Sequence, residues 1–208
     1  MPGERKRSAA RKEEVLDIAL RIIDEKGIHA LTLREISDRI GISEAALFRH
    51  FRDKGEIMSS LADRVFTHFI LEEEALSGTG LNERLISLME RQFSAFQGMP
   101  EATAVLFQEE IFREYPQVKE GFDARRRERA IKIASLVADV KRKGEVAQDV
   151  NEDTFALIYM GAMRMAVLEW RSSRFSYDLA ARAGPICREL LKILSSGAPS
   201  LKGSKKVK

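Results

Sequence analysis

A chain of 208 residues with a net charge of +3, 44% hydrophobic and 32% charged, is long enough to bury a real core. It is too apolar for a disordered chain and too charged for an integral membrane protein. The longest apolar run, Phe155 to Leu168, is interrupted by Arg164 and falls short of the roughly 18 to 20 residues that a bilayer span requires. The basic N-terminus leads into the charged stretch Arg11 to Glu14, not an apolar segment, so no signal peptide is read and a cytoplasmic location is expected. The one cysteine, Cys187, has no second thiol for an internal disulfide. Positive charge gathers at the two ends, in Arg5, Lys6, Arg7, Arg11 and Lys12 and again in Lys202, Lys205, Lys206 and Lys208. Such ends favour polyanions by displacing counterions, although solvated termini carry the same composition.

Strand-type alternation is nearly absent and helical spacing recurs, so the fold class expected is all-α with about nine helices. A first helix is predicted from about Ser8 to Lys26, with Val15, Leu16, Ala19, Leu20 and Ile23 as its apolar stripe and Gly27 as its stop. Thr32 caps a second helix, and Glu35 three residues on completes a reciprocal capping box. Ile36 and Ile40 face inward, and Gly41 ends that helix after about two turns. Ser43 caps a third, whose buried edge is Leu47 and Phe51. Further helices are read over Asp53 to Leu76, Leu81 to Gln97, Glu101 to Glu114 and Val118 to Lys143, the last with Ile131, Ala134, Val137, Ala138 and Lys141 along one side. Glu152 to Ser172 and Tyr177 to Leu194 complete the set, the final one interrupted or kinked at Gly184 and Pro185.

Three short helices with a glycine-containing turn before the last match a helix-turn-helix. Ser37 is small where two of them cross, Gly41 permits the turn, and Ile36, Ile40, Ile42 and Leu47 bury between them. The arrangement lets the last helix protrude into a major groove about 12 Å wide. By pattern alone the signal is moderate, since many helical proteins place a glycine between short helices.

Thr32 to Ser43 (TLREISDRIGIS), Ala46 to Phe51 (ALFRHF) and Asp53 to Ile57 (DKGEI), preceded by Val15 to Leu20 (VLDIAL) and Glu25 to Gly27 (EKG), resemble the DNA-binding domain of the TetR family over roughly residues 11 to 60. The resemblance implies that Thr32, Ser43, His50 and Lys54 hold phosphates, the helix N-termini among them adding unpaired N–H groups. It places Arg34, Glu44, Ala45 and Arg49 where bases or the groove wall are read: arginine to guanine, glutamate to cytosine, the alanine methyl to thymine. Phe48 stands where the family usually has a phosphate-binding tyrosine, so only apolar contact is expected of it. Gly55 is a poor residue for the first turn of the next helix. The partners implied are double-stranded operator DNA, a second copy of the chain as a homodimer, and a largely apolar small-molecule effector, with no membrane partner. No cofactor, no metal and no catalytic residue is expected, and the chain is read as a regulator rather than an enzyme. His29, His50 and His68 lack metal-ligand spacing, and HExxH, Walker A and GxSxG motifs are absent.

The division expected is 1–58 for DNA binding, 59–198 for effector binding and dimerisation, and 199–208 as a disordered basic tail. Phe155 to Leu168 is apolar on nearly every face and so must be covered on all sides, one by its own protomer and one by a second. Ala162, Ala166, Ile186, Leu190 and Leu194 are the dimer-interface candidates. Phe93, Phe96, Phe107, Glu110, Tyr159, Met163 and Arg164 are the ligand candidates, although aromatic residues and methionines at helical spacing equally form plain core. Arg164, as a buried charge, calls for a carboxylate such as Glu110 or for a ligand anion. The rival reading is an effector-independent architectural or adaptor protein that binds DNA.

Overall fold

The computed structural model describes residues 2–68, 80–107 and 114–195. Among these there are nine α-helices and no strand, as the periodicity requires. They are α1 (Pro2–Lys26), α2 (Leu33–Ile40), α3 (Glu44–Leu47), α4 (Lys54–His68), α5 (Leu81–Gly98), α6 (Ala102–Phe107), α7 (Pro116–Arg142), α8 (Glu152–Ser172) and α9 (Ala183–Ser195). Short 3-10 turns at Ile28–Ala30 and Ala180–Arg182 precede α2 and α9. No helix among the described residues is long and apolar enough to cross a membrane. The expected continuation of α4 to Leu76, the segment 108–113 of the helix read over Glu101 to Glu114, and the 199–208 tail lie outside the described residues.

Two compact units emerge, one of Met1–Leu71 with Gln92–Arg126, the other of Glu72–Arg91 with Arg127–Lys208. The first extends beyond 1–58 because α4 packs on α1. Arg64 of α4 binds Asp17 of α1 at 2.5 Å and Glu13 at 3.6 Å, over a core in which Ile57, Met58, Leu61 and Val65 are fully enclosed. The α1 stripe read from sequence (Val15, Leu16, Ala19, Leu20, Ile23) is buried throughout.

In the second unit α8 is apolar on all sides yet covered on one. Phe155, Ala156, Tyr159, Met163, Ala166, Val167 and Trp170 are buried, whereas Leu157 is 71% exposed and Met165 56%. Asn151 caps this helix by accepting from the Thr154 N–H at 2.8 Å. On α7 the buried face is Ile133, Ala134, Leu136, Val137 and Val140, and Ile131 is 65% exposed. The stripe read through Ile131 was therefore displaced, because the small and charged residues around it left its phase ambiguous. Gly184 and Pro185 do not kink α9. They fall in its first turn, where a missing N–H costs nothing.

Candidate nucleic-acid interface

The helix-turn-helix is built by caps before it is built by packing. Thr32 takes the extended conformation, and its Oγ1 accepts from the Glu35 N–H at 3.0 Å, starting α2. Gly41 ends α2 at φ 78°, donating its N–H to the Ser37 carbonyl at 2.9 Å. That left-handed position suits glycine. Ser43 then accepts from the Ala46 N–H at 3.2 Å and starts α3. Although α3 proper is a single turn, the Phe51 N–H still reaches the Leu47 carbonyl at 3.1 Å, so the helical course holds to Phe51.

The reciprocal half of the box expected at Glu35 does not form. Its carboxylate is taken instead by Lys26 Nζ at 2.8 Å and Arg39 Nε at 2.9 Å, and Arg39 also binds Glu25 at 2.8 Å. Two side chains of α1 and two of α2 thus form a four-charge network that ties the helices together. The arrangement with a glutamate reaching back occurs two helices later, at the start of α4. Asp53 accepts from the Glu56 N–H at 2.8 Å while Glu56 accepts from the Arg52 N–H at 2.7 Å, which starts α4 at Lys54. Its spacing, Asp-x-x-Glu, was present in the sequence and passed over. It also accounts for Gly55, since a Cβ there would sit 3.0 Å from the capping Asp53 Oδ1.

Hydrogen bonds from Arg39 and Lys26 hold the carboxyls of Glu25 and Glu35 below the usual glutamate range. Because their folded-state pKa values are depressed, the contribution to stability is present above the unfolded value of about 4.3 and is lost as pH falls through the folded one. We expect Arg39→Gln to lower the melting midpoint at pH 7 by about 1 to 3 °C, as exposed pairs allow. That difference should close in a pH series run below about 4. An equal deficit at every pH would show that the network is not what Arg39 contributes.

Beneath the caps, Ile36, Leu47 and Phe51 are buried, and above them the surface is polar. Thr32, Arg34, Ser43, Glu44, Ala45 and Arg49 are exposed, and His50 and Lys54 are half-buried. Phe48, without the hydroxyl that the resemblance leads one to expect, is 50% exposed and offers an apolar ring. Arg34 stands 3.8 Å from Asp38 with 82% of its side chain exposed, a contact too open to hold it away from a ligand. None of the nine DNA-binding candidates is committed to the core.

The geometry has a counterpart among known proteins. Residues 15–61 match the family model described as bacterial regulatory proteins, tetR family. Over that stretch the chain carries the helix-turn-helix domain of the TetR family. It is 28% identical to the HTH-type transcriptional repressor Rv1474c of Mycobacterium tuberculosis, over 70% of this chain and 72% of that one. It is also 20% identical to a fatty acid metabolism regulator protein of Bacillus subtilis, over 88% and 93%. Among solved structures, the TetR-family regulator PfmR of Thermus thermophilus superposes with a TM-score of 0.73 at 19% identity, covering 86% and 97% of the two chains. FadR of Bacillus subtilis in complex with stearoyl-CoA gives 0.62 at 19%, covering 89% and 98%. The TetR-family match and the helical arrangement make this chain a transcription regulator with an N-terminal helix-turn-helix.

The remaining candidates fare less uniformly. Phe93 and Phe96 are fully buried in the first unit, and Phe107 packs edge-on to Phe96 at 5.6 Å. In the second unit Tyr159 is enclosed and donates its hydroxyl to the Leu85 carbonyl at 2.8 Å, and Met163 is buried. These side chains are packed as core. Neither cavity described is lined by any of them. One, of about 420 Å³, lies between Leu81, Val140, Val146 and Arg188 of the second unit. The other, of about 570 Å³, lies between Lys12, Phe51, Arg64 and Met99 of the first. Glu110 lies outside the described residues, and Arg164 is half-buried rather than enclosed, so the buried charge expected there is not found. Arg129 on α7 is likewise half-buried, and desolvation lowers its pKa.

Sequence reasoning also missed Gln92, which is 4% exposed with its Nε2 unpartnered. No sequence signal distinguishes such a residue from a polar neighbour facing water. Of the dimer candidates, Ala166 and Leu190 are buried within their own protomer and are not surface residues, because the inward face of α8 is the one carrying Met163, Ala166 and Trp170. Ala162 and Ile186 are half-exposed, and the side chain of Leu194 lies outside the described residues.

Proposed function

We propose that this regulator is a repressor that binds a near-palindromic operator as a homodimer and is released by a largely apolar small molecule. The observation that carries the DNA-binding half is the exposed set Arg34, Glu44, Ala45 and Arg49, raised on the buried Ile36, Leu47 and Phe51 between two capped helix starts. Thr32, Ser43, His50 and Lys54 are the phosphate contacts that set register, and the exposed four are the groove readers. A dimer follows from the uncovered apolar face of α8, and two protruding segments then enter successive major grooves about 34 to 36 Å apart.

The effector half is supported by the relatives, one of which carries stearoyl-CoA, and within this chain by the buried, unpartnered Gln92 amide, a group that a polar atom of a ligand would satisfy. A hundredfold release requires the effector to prefer the non-binding state by about 2.7 kcal/mol, and DNA must weaken the effector equally. The dense packing of Phe93, Phe96 and Tyr159 favours the second reading, a DNA binder without an effector. Selection of duplexes from a random pool at stated salt, followed by titration of long-chain acyl thioesters and sterol-like compounds against the selected site, separates them. Recovery of an inverted repeat with half-sites about 10 bp apart is the expected result. A pool that shows no enrichment would sink the DNA-binding half, and an operator affinity that no compound alters would leave the effector-free protein.

A further inference from the structure

Gly144, at φ 75°, closes α7, and the Gly144 and Glu145 N–H groups donate to the carbonyls of Lys141 and Val140, each at 3.0 Å, which folds the chain back and leads into Val146. Lys141 fastens this turn to α8, its Nζ donating to the Val150 carbonyl at 2.8 Å and meeting Glu152 at 3.1 Å. Val140 and Val146, with Leu81 of α5 and Leu191 of α9, form the apolar lining of the cavity of about 420 Å³ in the second unit. Val140 is buried and the other three are half-buried, so the apolar wall is open to a molecule arriving from water. The volume lies in the range of small-ligand sites, about 300 to 1,000 Å³.

The polar part of the lining is Asn82, Glu145, Arg188 and Lys192, all exposed. Arg188, Leu191 and Lys192 follow the spacing of one helix face, which sets two cations beside an apolar side chain. Lys192 is held by Glu189 at 2.6 Å, whereas among the described residues no carboxylate forms an ion pair with Arg188. A Cβ added at Gly184 would stand 3.1 Å from Arg188 Nη1, so the bare glycine leaves room for the guanidinium to lie back along α9.

We infer that this cavity binds an aliphatic carboxylate of about eight to ten carbons, with its chain against Val140, Val146 and Leu191 and its head group on Arg188. The guanidinium fork matches a carboxylate through two parallel hydrogen bonds. Glu145, the acid of the lining, repels a second negative charge and so favours a monoanion over a phosphate ester. By liquid volume the cavity holds about fourteen waters at roughly 30 Å³ each, and decanoate, with about twelve non-hydrogen atoms, fills that space. The site is separate from the Gln92 amide, which belongs to the first unit, and it does not rest on the operator reading.

Isothermal titration of the full chain with decanoate, octanoate and octanol, below their micelle concentrations, tests the site in the parent, in Arg188→Gln and in Val146→Trp. The parent binds one decanoate per chain, and octanoate more weakly by about two- to fourfold for each methylene removed. Arg188→Gln weakens both carboxylates by about tenfold, as loss of a hydrogen bond to a charged group allows, and leaves octanol within about twofold. Val146→Trp fills the cavity with an indole and abolishes binding of decanoate and octanol alike. Glutamine is a good helix former at an exposed position of α9, and the melting midpoint verifies that both variants are folded. A parent that shows no saturable decanoate binding up to about 1 mM overturns the inference. Undiminished decanoate binding in either variant also overturns it, because the ligand then sits elsewhere. Equal weakening of octanol and decanoate by Arg188→Gln overturns the role given to the charge, and with it the choice of a carboxylate.

Discussion

Replacing Ala45 by glutamate should weaken operator binding by about a hundredfold or more and leave the melting midpoint within about 1 °C of the parent. Ala45 is exposed in the first turn of α3, where a carboxylate is compatible with the helix dipole and glutamate is a good helix former, so the fold has nothing to lose. Against DNA the balance reverses. The new side chain brings an unpaired acid to a surface lined by phosphates, and desolvating it costs about 1 to 3 kcal/mol per site, twice in a dimer. Fluorescence anisotropy on a labelled operator measures the affinity, and differential scanning calorimetry the stability. Full affinity in this variant would mean that α3 does not enter the groove.

The paired substitution Leu157→Arg with Met165→Arg should leave a folded monomer. The two side chains are 71% and 56% exposed on α8, Ile158 and Leu168 are exposed beside them, and a Cβ added at Gly161 would meet nothing within 4 Å. Charging residues already in water costs the protomer little, whereas two charges buried at an apolar subunit contact are costly. Sedimentation equilibrium at micromolar concentration should show one chain per particle. Operator affinity should fall by about 10² to 10⁴, the advantage that linking two binding modules provides. If the variant still sediments as two chains, α8 is not the contact.

These two surfaces differ in how much of them could be read in advance. Thr32, Arg34, Ser43, Glu44 and Ala45 each are or lie within two residues of a capping position, and the cap at Thr32, the left-handed turn at Gly41 and the cap at Ser43 are local devices that operate within four residues. For that reason the helix-turn-helix was legible from residues 32 to 51. Glu35 was misjudged for the same kind of reason in reverse. Its short-range partner, the backbone of residue 32, was evident, but the competing Lys26 and Arg39 come from another helix and another turn.

On α8 the apolar surplus was plain from composition, and the inference that part of it faces outward agrees with the exposure of Leu157 and Met165. Which part does so was not readable. A helix apolar on all sides carries no internal phase, so Ala166 was assigned outward although it is buried. Arg164 and Arg129 show the limit most clearly. Arg164 interrupts an apolar run and so drew attention, yet it is half-buried, and so is Arg129, which stands in a stretch of charged residues and whose pKa desolvation lowers.

Within this chain, then, local chemistry alone settled the all-α class, the helix starts and stops around the turn at Gly41, and the residues that project from it, because each depends on hydrogen bonds closed within one helical turn. What only the tertiary structure decided is which face of each long helix is inward, which charges are withdrawn from water, and which buried polar groups, Ser37 and Gln92 among the described residues, are left without a partner. Those outcomes are set by side chains tens of residues away, and the spacing of a single helix holds no record of them.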